Sequence, residues 1–274
     1  MPTLQQYRRA LARRSGLFIL STTSGGSTAT NSLTMGDLAD NALESGYYDR
    51  GWWLITSTGS TNAGQVRRPN TDGFTPATGV VVVSRAFAST STATTEVEYH
   101  GTLPPVDFGG RMGWLEVCNQ ALSECWMIDT LVITPAASTT LEHALSTAPW
   151  LIQQTDVIDV WSRSTGANTD SLVRDWRLVH DMDTPVLRLR QTYSTSDQIR
   201  ARVYRPLNTW ISTAGAATYN GSTAGLVADG DQALLPMEGM IRVGLAIAYV
   251  QLANIGDDNS QKRYDYTPKQ HLSH

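Results

Sequence analysis

Lysine is almost missing from this sequence: Lys262 and Lys269 are the only two. Charged residues of both signs make up 17% of the 274 positions, and the net charge is −4. A quarter is the usual share. A general nucleic-acid binder needs a basic face to neutralise phosphates, and this balance argues against one. Serine and threonine fill much of the gap. A polar but weakly charged surface suits a protein that meets many neighbours, because each buried charge must be paired or costs free energy. The preference for arginine has two readings. The simpler is codon usage; the other is inter-subunit contact through the planar guanidinium fork.

Cysteine is equally scarce. Cys118 and Cys125 lie seven apart, with no CxxC pair and no histidine at zinc-ligand spacing, so they read as small core residues on one helix face. Long apolar runs are also missing. The most apolar stretch, 241–253, contains Arg242 and Gln251 and is too short to span a bilayer. The Arg-rich first twenty residues have too short an apolar run for a secretory leader. The sequence therefore reads as soluble, with no membrane partner.

Catalytic signatures are absent too. There is no GxSxG elbow, no P-loop and no GxGxxG opening a helix. None of His100, His143, His180, His271 and His274 pairs at metal-binding spacing. Asp181-Met182-Asp183 and Asp229-Gly230-Asp231 read as turns, since a calcium loop needs more oxygens and a closing Glu. Glu96 and Glu98 read as the wet face of a strand. No cofactor or metal is implied, and the expectation is a non-enzyme.

What is present is β-rich. Leu4, Tyr7, Ala10 and Leu11 at helical spacing predict a short N-terminal helix, with Arg8, Arg9, Arg13 and Arg14 on its other faces and Gly16 as its stop. Strands are predicted over 51–56, over 79–85 with its four valines, and over 94–100. After Pro104-Pro105 the period changes, and Met112, Leu115, Cys118, Leu122 and Cys125 predict a helix across 108–126. A strand at 129–134 and a short helix at 138–145 follow. Residues 157–163, 174–180, 186–190 and 198–204 read as an antiparallel meander. The scheme is a basic helix (1–19), a first β module (20–103), a central helical segment (104–149), a second β module (150–211), a loop and C-terminal helix (212–256) and an extended tail (257–274). The expected class is α+β. Antiparallel β modules, as sandwich or open barrel, attach to a small helical core of N-terminal, central and C-terminal helices.

The last helix, from Pro236 to Gly256, is apolar nearly all round. Leaving each large apolar side chain in water would forgo roughly 1.5–3 kcal/mol. The helix must be covered, by its own chain or by a neighbour. Gly244 and Ala248, four apart, form a smooth strip for close approach.

The order of these pieces resembles structural proteins of tailed bacteriophages, particularly virion proteins of the head–neck region. The resemblance rests on Leu4-Gln5-Gln6-Tyr7-Arg8-Arg9-Ala10-Leu11 followed by the Ser/Thr/Gly stretch 21–30. It continues through Gly51-Trp52-Trp53, Gln65-Val66-Arg67-Arg68 and Arg85-Ala86-Phe87. It closes with the helix after the double proline, Leu187-Arg188-Leu189, Arg202-Val203-Tyr204-Arg205-Pro206 and the C-terminal helix. It implies a virion subunit, a head–tail adaptor or connector assembling as a homo-oligomeric ring against the portal and other neck or tail proteins. The partner-binding positions expected on that reading are Arg8, Arg9, Arg13, Arg14, Gly244, Ala248, Lys262, Arg263, Tyr264 and Tyr266. Two alternatives stand beside it. One is a capsid decoration, collar or fibre-anchoring protein. The other is a carbohydrate-binding module with a platform of Trp52, Trp53, Trp150 or Trp161.

Overall fold

The computed structural model describes residues 1–25, 29–57, 59–182, 184–209, 211–212 and 225–254. The chain is an α+β protein, with antiparallel sheets and, among the described residues, three α-helices. It divides into two compact units. One combines Met1–Ala121 with Ile211–His274; the other is Leu122–Trp210.

In the first unit, helix α1 (Leu4–Ser15) opens on a capping box: Thr3 accepts the Gln6 backbone N–H, and the Gln6 side chain accepts that of Thr3. Its buried residues Leu4, Tyr7, Arg8, Leu11 and Ala12 trace one 3.6-residue stripe. Strands β1 (Phe18–Thr22), β2 (Ser32–Thr34), β3 (Trp52–Ile55), β4 (Val66–Arg67), β5 (Pro69–Thr75), β6 (Val80–Val83) and β7 (Glu96–His100) form two antiparallel sheets, ordered β1-β7-β3-β4 and β2-β6-β5. The sheets share a core of Leu33, Met35, Tyr48, Trp53, Ile55, Phe74, Val81, Val83, Phe87, Val97 and Tyr99. The opposite side of the larger sheet is also buried: Trp52, Leu54 and Val66 pack with Val106 and Phe108. Burial on both faces explains why β3 reads Trp-Trp-Leu-Ile without alternation. Gly79 closes the β5–β6 turn at φ +65°, and a Cβ there would stand 2.0 Å from the Met35 carbonyl oxygen.

Helix α2 (Trp114–Ser123) is shorter than the 108–126 expectation, because Trp126 already belongs to the next strand. That strand, β8 (Trp126–Ile133), begins the second unit. With β9 (Glu142–Ala144), β10 (Val157–Arg163), β11 (Ser171–Val173), β12 (Trp176–Asp181), β13 (Thr184–Leu189) and β14 (Gln198–Pro206) it makes two antiparallel sheets, ordered β11-β10-β14-β8 and β12-β13-β9. Val157, Val160, Ile199, Ala201 and Val203 from the first meet Leu187 and Leu189 from the second in one core, a small sandwich. This is not the simple meander read from the sequence. The β12–β13 hairpin leaves the first sheet for the second, so β14 returns to pair with β10. The expected helix at 138–145 is instead β9, paired with β13 through Glu142↔Arg188, His143↔Leu187 and Ala144↔Val186. Of its three side chains only that of His143 is buried, a period of two, and cross-strand pairing outweighs local helical preference.

The chain then returns to the first unit through β15 (Ile211–Ser212) and β16 (Gln232–Ala233) and ends its described part in helix α3 (Met237–Asn254). Its own chain covers this helix on one side. A Cβ at Gly244 would stand 2.9 Å from a Leu11 methyl and 3.5 Å from a Val117 methyl. Gly244 is thus where α1, α2 and α3 meet, which is the helical core expected from the sequence. No described helix is long and apolar enough to cross a membrane.

Candidate interaction surfaces

Two polar or apolar concentrations stand out, one buried and one open. The buried one sits where α1 crosses β7. Glu98, fully buried, accepts from Arg8 Nε (3.1 Å), Arg9 Nε (2.6 Å) and His100 Nε2 (2.9 Å). Arg8, 2% exposed, also reaches Asp229 at 3.1 Å, and Arg9 reaches Glu96. Burial by itself would raise the Glu98 carboxyl. The hydrogen bond from His100 and the Arg8 charge outweigh it and hold the carboxyl at about 2. Burial lowers His100, opposed by its bond to Glu98. Burial would lower Arg8 too, but its bonds to Asp229 and Glu98 push it above its usual value.

A carboxylate beside an imidazole is also the raw material of acid–base catalysis. Here both groups are fully buried and the carboxylate already holds two guanidiniums, so no reacting atom has a route to them. The cluster's task is to clamp α1 onto the sheet. Around it, Leu4 and Gln5 backbone N–H groups donate to the Asp231 and Asp229 carbonyls, and the Tyr7 hydroxyl donates to the Leu235 carbonyl.

Arg8 and Glu98 overturn two expectations. Arg8 and Arg9 are not charges on an open helix face, because position 8 lies on the same stripe as Leu4, Tyr7 and Leu11. Glu98 is not on a wet strand face, because Arg8 and Arg9 of α1 close over it, while Glu96 beside it stays partly exposed. A charged residue inside the apolar stripe of α1 was the available signal: an arginine there demands a buried acid. Asp229-Gly230-Asp231 is a turn as expected. The Asp231 carboxylate accepts the Val227 and Ala228 backbone N–H groups at 2.8 and 2.7 Å.

The open surface lies in the second unit, on the outer face of β11-β10-β14-β8. Register places Val132, Arg200, Trp161 and Leu172 in one row across the four strands, with Thr130, Arg202 and Asp159 in the next and Ile128 beside Tyr204. Strand β8 alternates strictly, its odd positions turned inward and its even positions outward. The outward ones are mostly apolar. Trp126 is 48% exposed, Ile128 55%, Val132 57%, Leu172 49% and Tyr204 43%. Arg202 pairs with Asp159 at 3.3 Å and Arg200 with Asp170 at 3.6 Å. Tryptophan, tyrosine and arginine among aliphatics is the composition of interface centres. Strand β8 is also the sheet's edge, with no strand on its far side among the described residues. Across the sandwich, the other sheet carries a concavity of about 970 Å³ with Arg174, Arg177, Arg188 and Arg190 in its lining; Glu142 and Asp175 pair with two of them.

The remaining sequence-derived positions divide as follows. Arg13 and Arg14 are exposed, Arg13 lying 5.2 Å over the Phe18 ring. Gly244 and Ala248 are buried. Lys262, Arg263, Tyr264 and Tyr266 lie outside the described residues. Trp52 and Trp53 are core and offer no carbohydrate platform; Trp150 lies under the Arg205 guanidinium at 4.6 Å, and Trp161 donates to Asp159 at 2.7 Å. Among the described residues no group of three or more His, Cys, Asp or Glu is placed to hold a metal. Cys118 is buried, its thiol pushed up to about 12 by desolvation. Comparison with known protein families, with curated proteins and with solved structures finds no match.

Proposed function

We propose that this chain is a structural assembly subunit, and specifically a head–tail adaptor or connector of a tailed-bacteriophage particle that forms a ring against the portal. The observation that carries the reading is the outer face of β11-β10-β14-β8. Five large apolar side chains there stand roughly half exposed on one surface, beside paired arginines. Trp126, Ile128, Val132 and Tyr204 gather at the β8 side of this face and Leu172 stands at its far edge; together they leave on the order of 400 Å² of apolar surface, the size of the largest patch on an ordinary monomer, which is often functional. The phage setting comes from the resemblance in element order alone. Capsid decoration and collar or fibre anchoring are the same class of role at another station.

The test is mass in solution, alone and mixed with portal, for the native chain and for Ile128→Asp. The native chain is expected to self-associate and to bind portal. Ile128→Asp, which places an uncompensated charge in the patch, is expected to weaken self-association, and portal binding with it, by at least about tenfold. A native chain that stays monomeric and binds no virion protein would refute the proposal.

A further inference from the structure

We infer that successive copies join head to tail through the two edges of one sheet, the β8 edge of one copy receiving the β11 edge of the next. This rests on the assembly reading above and names its geometry.

Three observations carry it. The first is strand direction. All pairings in β11-β10-β14-β8 are antiparallel, and the sheet has four strands. With an even count the two edge strands run in opposite directions. A second copy added by rotation, without inversion, therefore sets its β11 antiparallel to β8. A cyclic ring needs such a heterologous joint, whereas two β8 edges joined together would close a two-fold dimer and stop.

The second is where the apolar surface ends. Val132 and Ile128 are exposed at one edge and Leu172 at the other, all on the outer face. Alone, each is an apolar side chain at a sheet margin. Joined, Leu172 of one copy falls among Ile128, Thr130 and Val132 of its neighbour, and the patch runs on unbroken from Trp161.

The third is the edge itself. Strand β8 is eight residues long and carries no proline, no lysine and one charge. That charge, Asp129, points inward to Arg205 at 2.9 Å and takes the backbone N–H of Thr130 at 2.8 Å. The carboxylate thus guards one edge donor and must release it on pairing. The rest of the edge has no side-chain guard of this kind among the described residues. A native edge of this length and apolar character is ordinarily covered, and the occupant that continues the same face is another copy.

Single cysteines test the joint. In a Cys125→Ser background with Cys118 left buried, Leu172→Cys is mixed with Ile128→Cys, Thr130→Cys or Val132→Cys under mild oxidation. A disulfide needs Cα atoms about 4.4–6.8 Å apart, so one or more of these mixtures should shift to a covalent heterodimer. Each variant alone should stay uncrosslinked, as should Leu172→Cys mixed with Leu131→Cys, whose side chain faces inward. A chain carrying both Leu172→Cys and the reactive partner should give a ladder of multimers. Crosslinking of Thr130→Cys with itself, or equal crosslinking by the inward position, overturns the head-to-tail joint. So does the absence of any crosslink in a chain whose mass shows that it self-associates; in that case the assembly reading survives and only the joint fails. A native chain that is monomeric and binds no virion protein removes both.

Discussion

At residue scale the decisive side chain is Arg8. It is a charge buried at a position that the helix period reserves for leucine, and it survives there because Glu98 and Asp229 come to it. Removing one partner of such a cluster leaves the others charged and dry. Arg8→Ala should therefore cost about 3–5 kcal/mol of stability, read as a shift in urea midpoint. The same cluster should make the protein acid-sensitive. Burial lowers the pKa of His100 below its ordinary 6.5, so the unfolded chain takes up a proton first. This contribution to stability is present above pH 6.5 and is lost as pH falls. Glu98, held at about 2 against 4.5 in the unfolded chain, contributes above pH 4.5 and is lost between there and 2. The urea midpoint should fall in two stages, and His100→Gln should diminish the first, from pH 6.5 downward, to which the burial of His143 also contributes, while the second remains. The sequence hid this because Val97 and Tyr99 alternate with Glu96, Glu98 and His100. Alternation says which residues share a face, not whether the polar face is wet, and α1, some ninety residues earlier in sequence, decides that here.

At element scale the readable parts were those whose pattern a single partner sets. Strand β6, four valines between two neighbours, and helix α3, with few polar positions, fell close to their predicted places. The β9 segment did not, since its three residues acquire strand geometry from β13, over forty positions away. The Gly244 strip was legible, while its partner was not. It meets α1 and α2 of the same chain, with Leu11 seated against it. Gly244→Val would drive a branched side chain into Leu11 and Val117. Overpacking of this kind costs about 1–3 kcal/mol, and the melting temperature should drop accordingly with the β-sheet circular dichroism retained below it. The outward residues of β8 were within reach of the sequence as well. Trp126, Ile128, Thr130 and Val132 alternate, but the 3–4 spacing of the preceding helix was carried past its end and absorbed the first of them.

At the scale of the whole molecule, assembly is argued from one sheet face, and the substitutions that test it must leave the fold alone. Ile128→Asp does so because the side chain is more than half exposed and contributes nothing to the core of Val160, Leu187 and Ile199. Its stability change should stay within about 0.5 kcal/mol, so that a loss of portal binding reports on the surface. Arg8→Ala has the opposite signature, with a large stability loss and the sheet face untouched. Comparing the two separates what holds a subunit together from what joins it to others. Strand alternation alone does not make that separation, since buried and open faces of a sheet carry the same alternation until the covering element is known; only Arg8, a charge inside the apolar stripe of α1, signals it.

The first unit is built from both ends of the chain, and this has a consequence for how it comes into being. Arg8 and Tyr7 wait for Asp229 and Leu235, and Leu11 waits for Gly244. During synthesis the whole of Leu122–Trp210 leaves the ribosome before any of those partners exist. The inserted sandwich can close while its host is still open, and the host's N-terminal helix spends that interval with Glu98 in reach but without Asp229, Leu235 and Gly244. Order of emergence is thus written into the connectivity: the unit that bears the proposed contact surface is ready first, and the unit whose segments flank it in sequence is completed last.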